Sequence, residues 1–255
     1  MTLALRDPDT PDSPLARWDP RWKLAGVVVA VLAIAMLETI AASAVAAVAA
    51  FGVVLLARMP VSAIFGRIGL LLLAVIPVFC VVPLTQPASD AGWDLGFLRV
   101  SIPGLLAAGA VGFRVLGIGL WGLMLMRSGA FPHTLAAAHA LFVPGVLVQI
   151  AQLAHRYTFL FTAEARRTRI ALRTRAFRAK TDRHSYRTLS HATGGLLVRS
   201  ADRAENVSAA MRCRGFRGEY RTLATFQTTA NDVLGFAAVA VGAVALVVVD
   251  RVGGP

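Results

Sequence analysis

Arginine is the residue type of this chain with the clearest potential for chemistry. Of its 26 basic residues, 24 are arginine, and between His155 and Arg221 there are 16 basic residues against five acids. A guanidinium is permanently charged and binds carboxylates or phosphates through parallel hydrogen bonds. The segment therefore predicts binding to an acidic protein surface or to phosphate groups, although a GC-rich genome would produce the same arginine bias without a function.

Other residue types that serve active sites are scattered. The only lysines, Lys23 and Lys180, lie outside any G-x-x-x-x-G-K-[ST] motif, which excludes a P-loop ATPase. The five histidines lack the spacing of metal ligands, and Cys80 and Cys213 lie in contexts too different for a disulfide. Aromatic residues are too sparse among the arginines for a nucleic-acid binder. The sequence therefore predicts neither a metal site nor a nucleic-acid partner.

The composition indicates a polytopic membrane protein. The 255 residues are 56% hydrophobic with a mean hydropathy of +0.65, yet the formal net charge is +12. A crossing needs about 20 apolar residues, and five apolar segments suggest crossings, the first two joined by a tight turn near Glu38. These segments are residues 24–38, 40–57, 68–84, 102–126 and 233–249. We therefore predict an all-α fold with about five transmembrane helices in the lipid bilayer and a cytoplasmic coupling module.

The distribution of basic residues predicts the orientation. They flank the N-terminal tail, the loop with Arg58 and Arg67, and the segment after Met126, whereas the loop QPASDAGWDLGF contains acids and no basic residue. By the positive-inside rule the N-terminus and the basic segment are cytoplasmic, and the C-terminus is outside. The apolar stretch 131–152 is interrupted by Pro144 and Gly145, so we interpret it as broken helices at the inner face, with a sixth crossing as the alternative.

Four regions follow from this pattern: a cytosolic tail 1–23 without signal-peptide features, transmembrane helices in 24–126, a membrane-associated and cytoplasmic module 127–232, and a last transmembrane helix in 233–255. Within the module we predict two helices, 163–180 with Thr162 as its N-cap and 196–215 ending at Gly215.

Several charged residues favour structural roles. Asp202 and Glu205 are expected to pair with arginines of their own helix, namely Arg199, Arg203 or Arg212. Glu38 and Arg114 lie at membrane depth, where an ionisable residue is a functional candidate. We expect Glu38 to mark the outer turn and Arg114 to bind neighbouring carbonyl groups.

The stretch RSADRAENVSAAMRCRGFRGEY closely resembles the second Ala-Arg-Gly region of the transmembrane T components of energy-coupling factor (ECF) transporters, especially the cobalt and nickel branch. DPRWKL before the first apolar segment, Arg114 within GFRVLG, and the stretch from Phe131 to Phe177 are similar to the same family in the same order. The resemblance covers most of the chain.

In that family, two arginine-centred motifs end two coupling helices, and each docks into a groove on one of two cytosolic ATP-binding-cassette (ABC) ATPase subunits. By position, the resemblance assigns this role to two groups of three residues: Thr174, Arg175 and Ala176, and Cys213, Arg214 and Gly215. Both depart from Ala-Arg-Gly, and because Ala176 replaces glycine, the first helix is expected to continue towards Lys180. Arg114, Arg203 and Glu205 are secondary candidates.

The resemblance implies the energy-coupling subunit of an ECF-type importer for cobalt or nickel ions. Such a subunit performs no chemistry and holds no cofactor, because its partner subunits bind ATP and a separate substrate-binding S component captures the ion. One alternative is a membrane-embedded lipid-processing enzyme whose arginines bind phosphate, which predicts paired acids or histidines at the inner face. Another is an autonomous channel or carrier, which predicts polar residues recurring along several spans.

Overall fold

The computed structural model describes residues 18–57, 61–85, 92–94, 99–127, 129, 131–218, 226 and 228–253. Within these residues the chain forms eight helices and one short antiparallel hairpin, which confirms the predicted all-α fold. The helices are α1 Pro20–Met36, α2 Ile40–Leu56, α3 Val61–Thr85, α4 Ile102–Arg127, α5 Phe131–Ala140, α6 Gly145–Thr174, α7 Arg183–Cys213 and α8 Ala230–Gly253, and the strands are β1 Gly92–Asp94 and β2 Arg99–Ser101. The hairpin was not predicted.

The chain divides into two compact units. The larger contains residues 6–141 and 224–255, and hence α1 to α5 and α8, whereas the smaller contains residues 142–223, and hence α6 and α7. Most of the predicted N-terminal tail, and the loop residues 86–91, lie outside the described residues.

All five predicted apolar segments are helices of the larger unit. Among the described residues, α4 and α8 are long and apolar enough to cross a membrane by length and composition, and α2 is a shorter apolar helix. Helix α1 begins four residues before the predicted segment, because Pro20 suits the first helical turn and the Asp19 carboxylate accepts a hydrogen bond from Arg21 N at 2.9 Å. The predicted turn near Glu38 is present at residues 37–39.

The core of the larger unit is built on small side chains of α2, which allow a neighbouring helix to approach closely. The buried positions of this helix are Ala42, Ser43, Ala46, Ala47, Ala50 and Val54. Opposite them, a methyl group added at Gly109 of α4 would lie 2.8 Å from the Ile40 side chain, and one added at Gly117 would lie 3.6 Å from Ala47 Cα. Helices α2 and α4 therefore run in the same direction.

Helix α3 runs against α4. A methyl group added at Gly112 would lie 3.2 Å from the Phe79 ring, whereas one added at Gly119 would lie 2.5 Å from the Leu71 side chain. Because the later residue of α4 faces the earlier residue of α3, the two helices are antiparallel.

Helices α1 and α8 run in the same direction and are joined by polar contacts at both ends. At the start of both helices, Asp19 N donates to Asp232 Oδ1 at 3.2 Å. At the other end, the buried Asp250 carboxylate accepts hydrogen bonds from Glu38 N at 2.7 Å, from Thr39 N at 3.1 Å and from the Thr39 hydroxyl. These five helices of the unit therefore alternate in direction, with α1, α3 and α8 opposed to α2 and α4.

The smaller unit differs from the sequence prediction in the length of its helices. The predicted break at Pro144 and Gly145 is present, since α5 ends at Ala140 and α6 begins at Gly145. Helix α6 is then continuous for 30 residues. Thr162 is not an N-cap: it lies inside α6 and donates its hydroxyl to Phe159 O at 2.8 Å.

Helix α7 is 31 residues long and begins 13 residues before the predicted start. Its N-cap is Asp182, whose carboxylate accepts a hydrogen bond from Ser185 N at 3.1 Å. The pair Gly194 and Gly195 is accommodated inside the helix, although glycine is unfavourable there by about 1 kcal/mol relative to alanine.

Candidate functional site

The first predicted docking motif lies at the C-terminus of α6. Thr174 is the last helical residue, Arg175 is the C-cap, and Ala176 takes a left-handed backbone conformation with φ +57°. Ala176 N donates to Arg173 O at 3.0 Å and Phe177 N donates to Leu172 O at 3.1 Å. These two bonds form a Schellman motif, a common helix ending. The expected continuation towards Lys180 is therefore wrong, because Ala176 itself adopts the conformation that ends the helix.

The second predicted docking motif ends α7 in the same way. Cys213 is the last helical residue, Arg214 is the C-cap, and Gly215 has φ +80°. Gly215 N donates to Arg212 O at 3.0 Å and Phe216 N donates to Met211 O at 3.0 Å. The predicted stop at Gly215 is confirmed, since glycine takes this conformation without a side-chain penalty.

The two helix ends carry an internal repeat of eight residues. Residues 172–179 read LRTRAFRA and residues 211–218 read MRCRGFRG. Arginine and phenylalanine recur at identical positions, and the other four positions change between similar residues. We call these segments the first and second terminal repeats. The motifs predicted from the sequence covered only three residues of each repeat, although the recurring arginines and phenylalanine are a signal that the sequence itself contains.

The terminal repeats present positive charge to solvent. The central arginines, Arg175 and Arg214, are exposed, and neither guanidinium has a hydrogen-bonding partner among the residues that the structure describes. Each follows a helix C-terminus, whose partial negative charge stabilises cations nearby. A guanidinium held on such a helix end, beside small residues, can enter an acidic groove and make two or more charge-assisted hydrogen bonds.

Helices α6 and α7 cross, and the terminal repeats lie on opposite sides of that crossing. Arg199 Nη1 of α7 contacts Glu164 Oε1 of α6 at 2.7 Å. On one side of this ion pair, Leu172 and Leu189 line a common groove of about 840 Å³. At 1.5 Å per residue, Arg175 lies about 16 Å along α6 from Glu164, and Arg214 about 22 Å along α7 from Arg199 in the other direction. The structure thus presents two separate basic ends.

The secondary candidates of α7 occupy exposed positions. Arg203 lines a cleft beside the crossing, whereas Glu205 is exposed on α7. The expected pairing of Asp202 and Glu205 with arginines of the same helix is wrong for the part of the chain described, where neither forms an ion pair. Arg199 pairs with Glu164 of α6 instead, because the helix crossing brings that acid within reach.

Arg114 belongs to the larger unit and has a structural contact. Its Nη2 atom donates to Glu38 O at 3.2 Å, which joins α4 to the turn between α1 and α2. Glu38 forms an ion pair with Arg251 at 3.1 Å. The expected contact between Arg114 and a neighbouring carbonyl group is therefore present.

A polar cluster marks the opposite end of the larger unit. The Asp19 carboxylate accepts a hydrogen bond from Arg21 Nη2 at 3.0 Å and another from the Thr228 hydroxyl at 3.2 Å. Burial raises the pKa of Asp19, but the hydrogen bonds from Arg21 and Thr228 outweigh it, and the pKa is lowered overall. Burial lowers the pKa of Lys23 to about 8, against the opposing charges of Asp232 and Asp19.

Candidate metal ligands are not assembled in the described ranges. No group of three histidine, cysteine, aspartate or glutamate side chains there is close enough to hold an ion. Cys80 and Cys213 are exposed free thiols. The described chain therefore offers charged helix ends for binding, and no assembled centre for metal chemistry.

The apolar helices among the described residues are consistent with a helical membrane protein. The family described as "CbiQ: Cobalt transport protein" matches residues 11–224. A relative, "Cobalt transport protein CbiQ" of Rhodobacter capsulatus, is 31% identical over 170 residues, which cover 60% of this chain and 69% of the relative. The chain belongs to the CbiQ cobalt transport protein family, which confirms the family predicted from the two arginine motifs.

Proposed function

We propose that this chain is the energy-coupling membrane subunit of an ECF-type importer for cobalt or nickel ions. It transmits the ATP-driven motion of two ABC ATPase subunits to a separate S component that binds the ion. The chain itself is non-catalytic, and ATP is bound by its partners. The observation that carries the proposal is the presence of the same eight-residue terminal repeat, with the same Schellman geometry, at the ends of two crossing helices.

The duplicated chemistry suits two docking sites on two partner subunits. Each repeat offers a central arginine whose guanidinium has no partner among the described residues, flanked by small side chains that permit close approach to a groove. Because the repeats lie on opposite sides of the crossing, a single partner groove would not accommodate both. When two ATPase subunits approach each other on binding ATP, they would displace both helix ends, and the crossing would convert that movement into a change of angle between α6 and α7.

The helix directions support a five-span topology with a cytoplasmic N-terminus. Helix α1 and helix α8 start at the same end of the larger unit and run in the same direction. Since α4 runs the opposite way, it ends on the side where α8 begins. By the positive-inside rule, the basic segment after Met126 lies in the cytoplasm.

The test is co-purification of ABC ATPase subunits with the tagged protein from its native membrane. We expect two ATPase subunits to co-purify with the wild type and fewer with Arg175→Ala or Arg214→Ala. The double variant should lose nearly all of them. Removing one member of a buried charged pair costs roughly 3–5 kcal/mol, which corresponds to a loss of affinity of more than 100-fold at that contact.

Arg187→Ala is the matched control, because it removes an exposed arginine of α7 outside both terminal repeats. It should retain both ATPase subunits. If the double variant and this control co-purified the same number of ATPase subunits at equal membrane insertion, the proposal would be contradicted. The family assignment favours transport over the lipid-processing enzyme considered from the sequence.

A further inference from the structure

A cleft beside the helix crossing is a second place where arginines converge. It lies within the smaller unit, has a volume of about 270 Å³, and is lined by side chains of both α6 and α7. The lining residues that matter for binding are Leu160, Glu164, Arg167, Arg199 and Arg203. None of them belongs to a terminal repeat.

The cleft carries an excess of two positive charges. Glu164 is neutralised by Arg199 at 2.7 Å, and the Glu164 side chain is only 23% exposed. Arg167 and Arg203 remain without an acid inside the cleft, and both are exposed at its mouth. Asp202 lines an adjoining cavity of about 470 Å³ and forms no ion pair with the residues described. An anion with one or two negative charges fits this balance.

The cleft also lies at a sharp change in the composition of α6. From Gly145 to Phe161 the helix contains one formally charged residue, Arg156, whereas residues 164–174 contain five. The Leu160 side chain extends the apolar half into the cleft wall. The rings of Tyr157 and Phe161, which flank Leu160 along α6, lie 6.4 Å apart, and tyrosine is enriched at the level of lipid headgroups.

We propose that this cleft binds the phosphate of an anionic membrane lipid. The inference rests on the proposed function, which places α6 at the cytoplasmic face of the membrane. Arg167 and Arg203 bind the phosphate oxygens, and Leu160 contacts the apolar part of the lipid. Basic pockets between helices on the cytoplasmic side are suited to anionic headgroups. A bound phosphate would join α6 to α7 beside the Glu164–Arg199 pair and so stabilise the crossing that separates the terminal repeats.

The test measures lipid binding by native mass spectrometry on the full-length protein in detergent, without ATPase subunits. The probes are phosphatidylglycerol and cardiolipin, with phosphatidylcholine as the neutral comparison. We expect the wild type to bind the anionic lipids about 30-fold more tightly than phosphatidylcholine, since each of the two arginines contributes about 1 kcal/mol. Arg167→Gln combined with Arg203→Gln should abolish most of that preference, with an unchanged elution volume.

The matched control combines Arg166→Gln with Arg187→Gln, which removes the same charge from the same two helices outside the cleft. This control should keep the preference for anionic lipids. If both double variants lowered that preference equally, the proposed lipid site would be contradicted. Displacement of the lipid by inorganic phosphate at equal concentration would identify the free ion as the ligand and overturn the lipid assignment. If Arg167→Gln combined with Arg203→Gln kept the lipid preference and lost the ATPase subunits, the cleft would instead bind a carboxylate of a partner subunit, and the lipid assignment would be overturned.

The lipid site and the proposed function can fail separately. Arg175→Ala combined with Arg214→Ala leaves the cleft intact, so it should keep the wild-type lipid preference whatever its effect on ATPase binding. A variant that loses its ATPase subunits and keeps the lipid preference would support both proposals. Retained ATPase subunits would contradict only the coupling role.

Discussion

Single charged residues of this chain fall into two groups. In the larger unit they have partners: Asp250 accepts hydrogen bonds at the turn between α1 and α2, and Lys23 lies near Asp19 and Asp232. In the smaller unit the arginines of the terminal repeats, and Arg167 and Arg203 of the cleft, are exposed. A buried charge requires compensation by partners, whereas an exposed one is available for binding. We therefore expect the first group to serve stability and the second to serve recognition.

Lys23 provides a residue-scale prediction about pH. Its pKa in the folded chain is about 8, below the ordinary 10.5 that the unfolded chain regains. Between these values the unfolded chain binds more protons, so the free energy of unfolding rises with pH. We expect it to increase by roughly 1 kcal/mol from pH 8 to pH 9 in the wild type.

Lys23→Met keeps the apolar stem of the side chain and removes the titrating amine. The difference in thermal stability between wild type and variant should therefore change with pH across this window. Unfolding temperatures measured in detergent from pH 7 to pH 10 provide the check. Parallel curves for the two proteins would show that burial does not lower the pKa of Lys23 and would contradict the prediction.

At the scale of elements, the two terminal repeats share one backbone geometry but differ at the position that requires a left-handed conformation. Ala176 takes φ +57° and Gly215 takes φ +80°. A side chain in this region costs roughly 1–2 kcal/mol. The first terminal repeat therefore contains strain that the second avoids.

Exchanging the two residue types should have opposite effects. Ala176→Gly should raise the unfolding temperature, and Gly215→Ala should lower it, each by about 2–4 °C for about 1 kcal/mol in a chain of this size. A methyl group added at Gly215 would meet no atom within 4 Å, so the effect at that site comes from the backbone alone. Calorimetry of both single variants provides the measurement.

The double variant is the internal control for this pair. Effects at distant sites add, so the combination should unfold close to the wild-type temperature. Destabilisation by Ala176→Gly would indicate that glycine's freedom in the unfolded chain outweighs the strain at position 176. ATPase co-purification should persist in all three variants, because both central arginines remain.

At the scale of the whole molecule, the alternating helix directions predict that the two chain termini lie on opposite sides of the membrane. In a Cys80→Ser background, the natural Cys213 should react with a membrane-impermeable maleimide only after the cells are permeabilised. Gly253→Cys, placed in a variant with both natural cysteines replaced by serine, should react in intact cells. Labelling of both sites from the same side would contradict the five-span arrangement.

The sequence alone determined the helices that depend on local composition. The apolar segments became α1, α2, α3, α4 and α8, with limits within seven residues of the predicted ones, because a long apolar run has one favourable arrangement in lipid. The arginine motifs identified the family, and Gly215 marked the end of α7, since the residue type itself permits the required backbone angle.

Only the tertiary structure decided how charged residues pair and where α6 ends. Ala176 gave no signal for a helix end, yet the hydrogen bonds of the Schellman motif hold it in a left-handed conformation. Likewise, the partner of Arg199 is Glu164, which lies 35 residues away in sequence. Spacing along one helix predicts neighbours on that helix, but a crossing brings together residues whose contact depends on how two helices pack, and that information is absent from any local pattern.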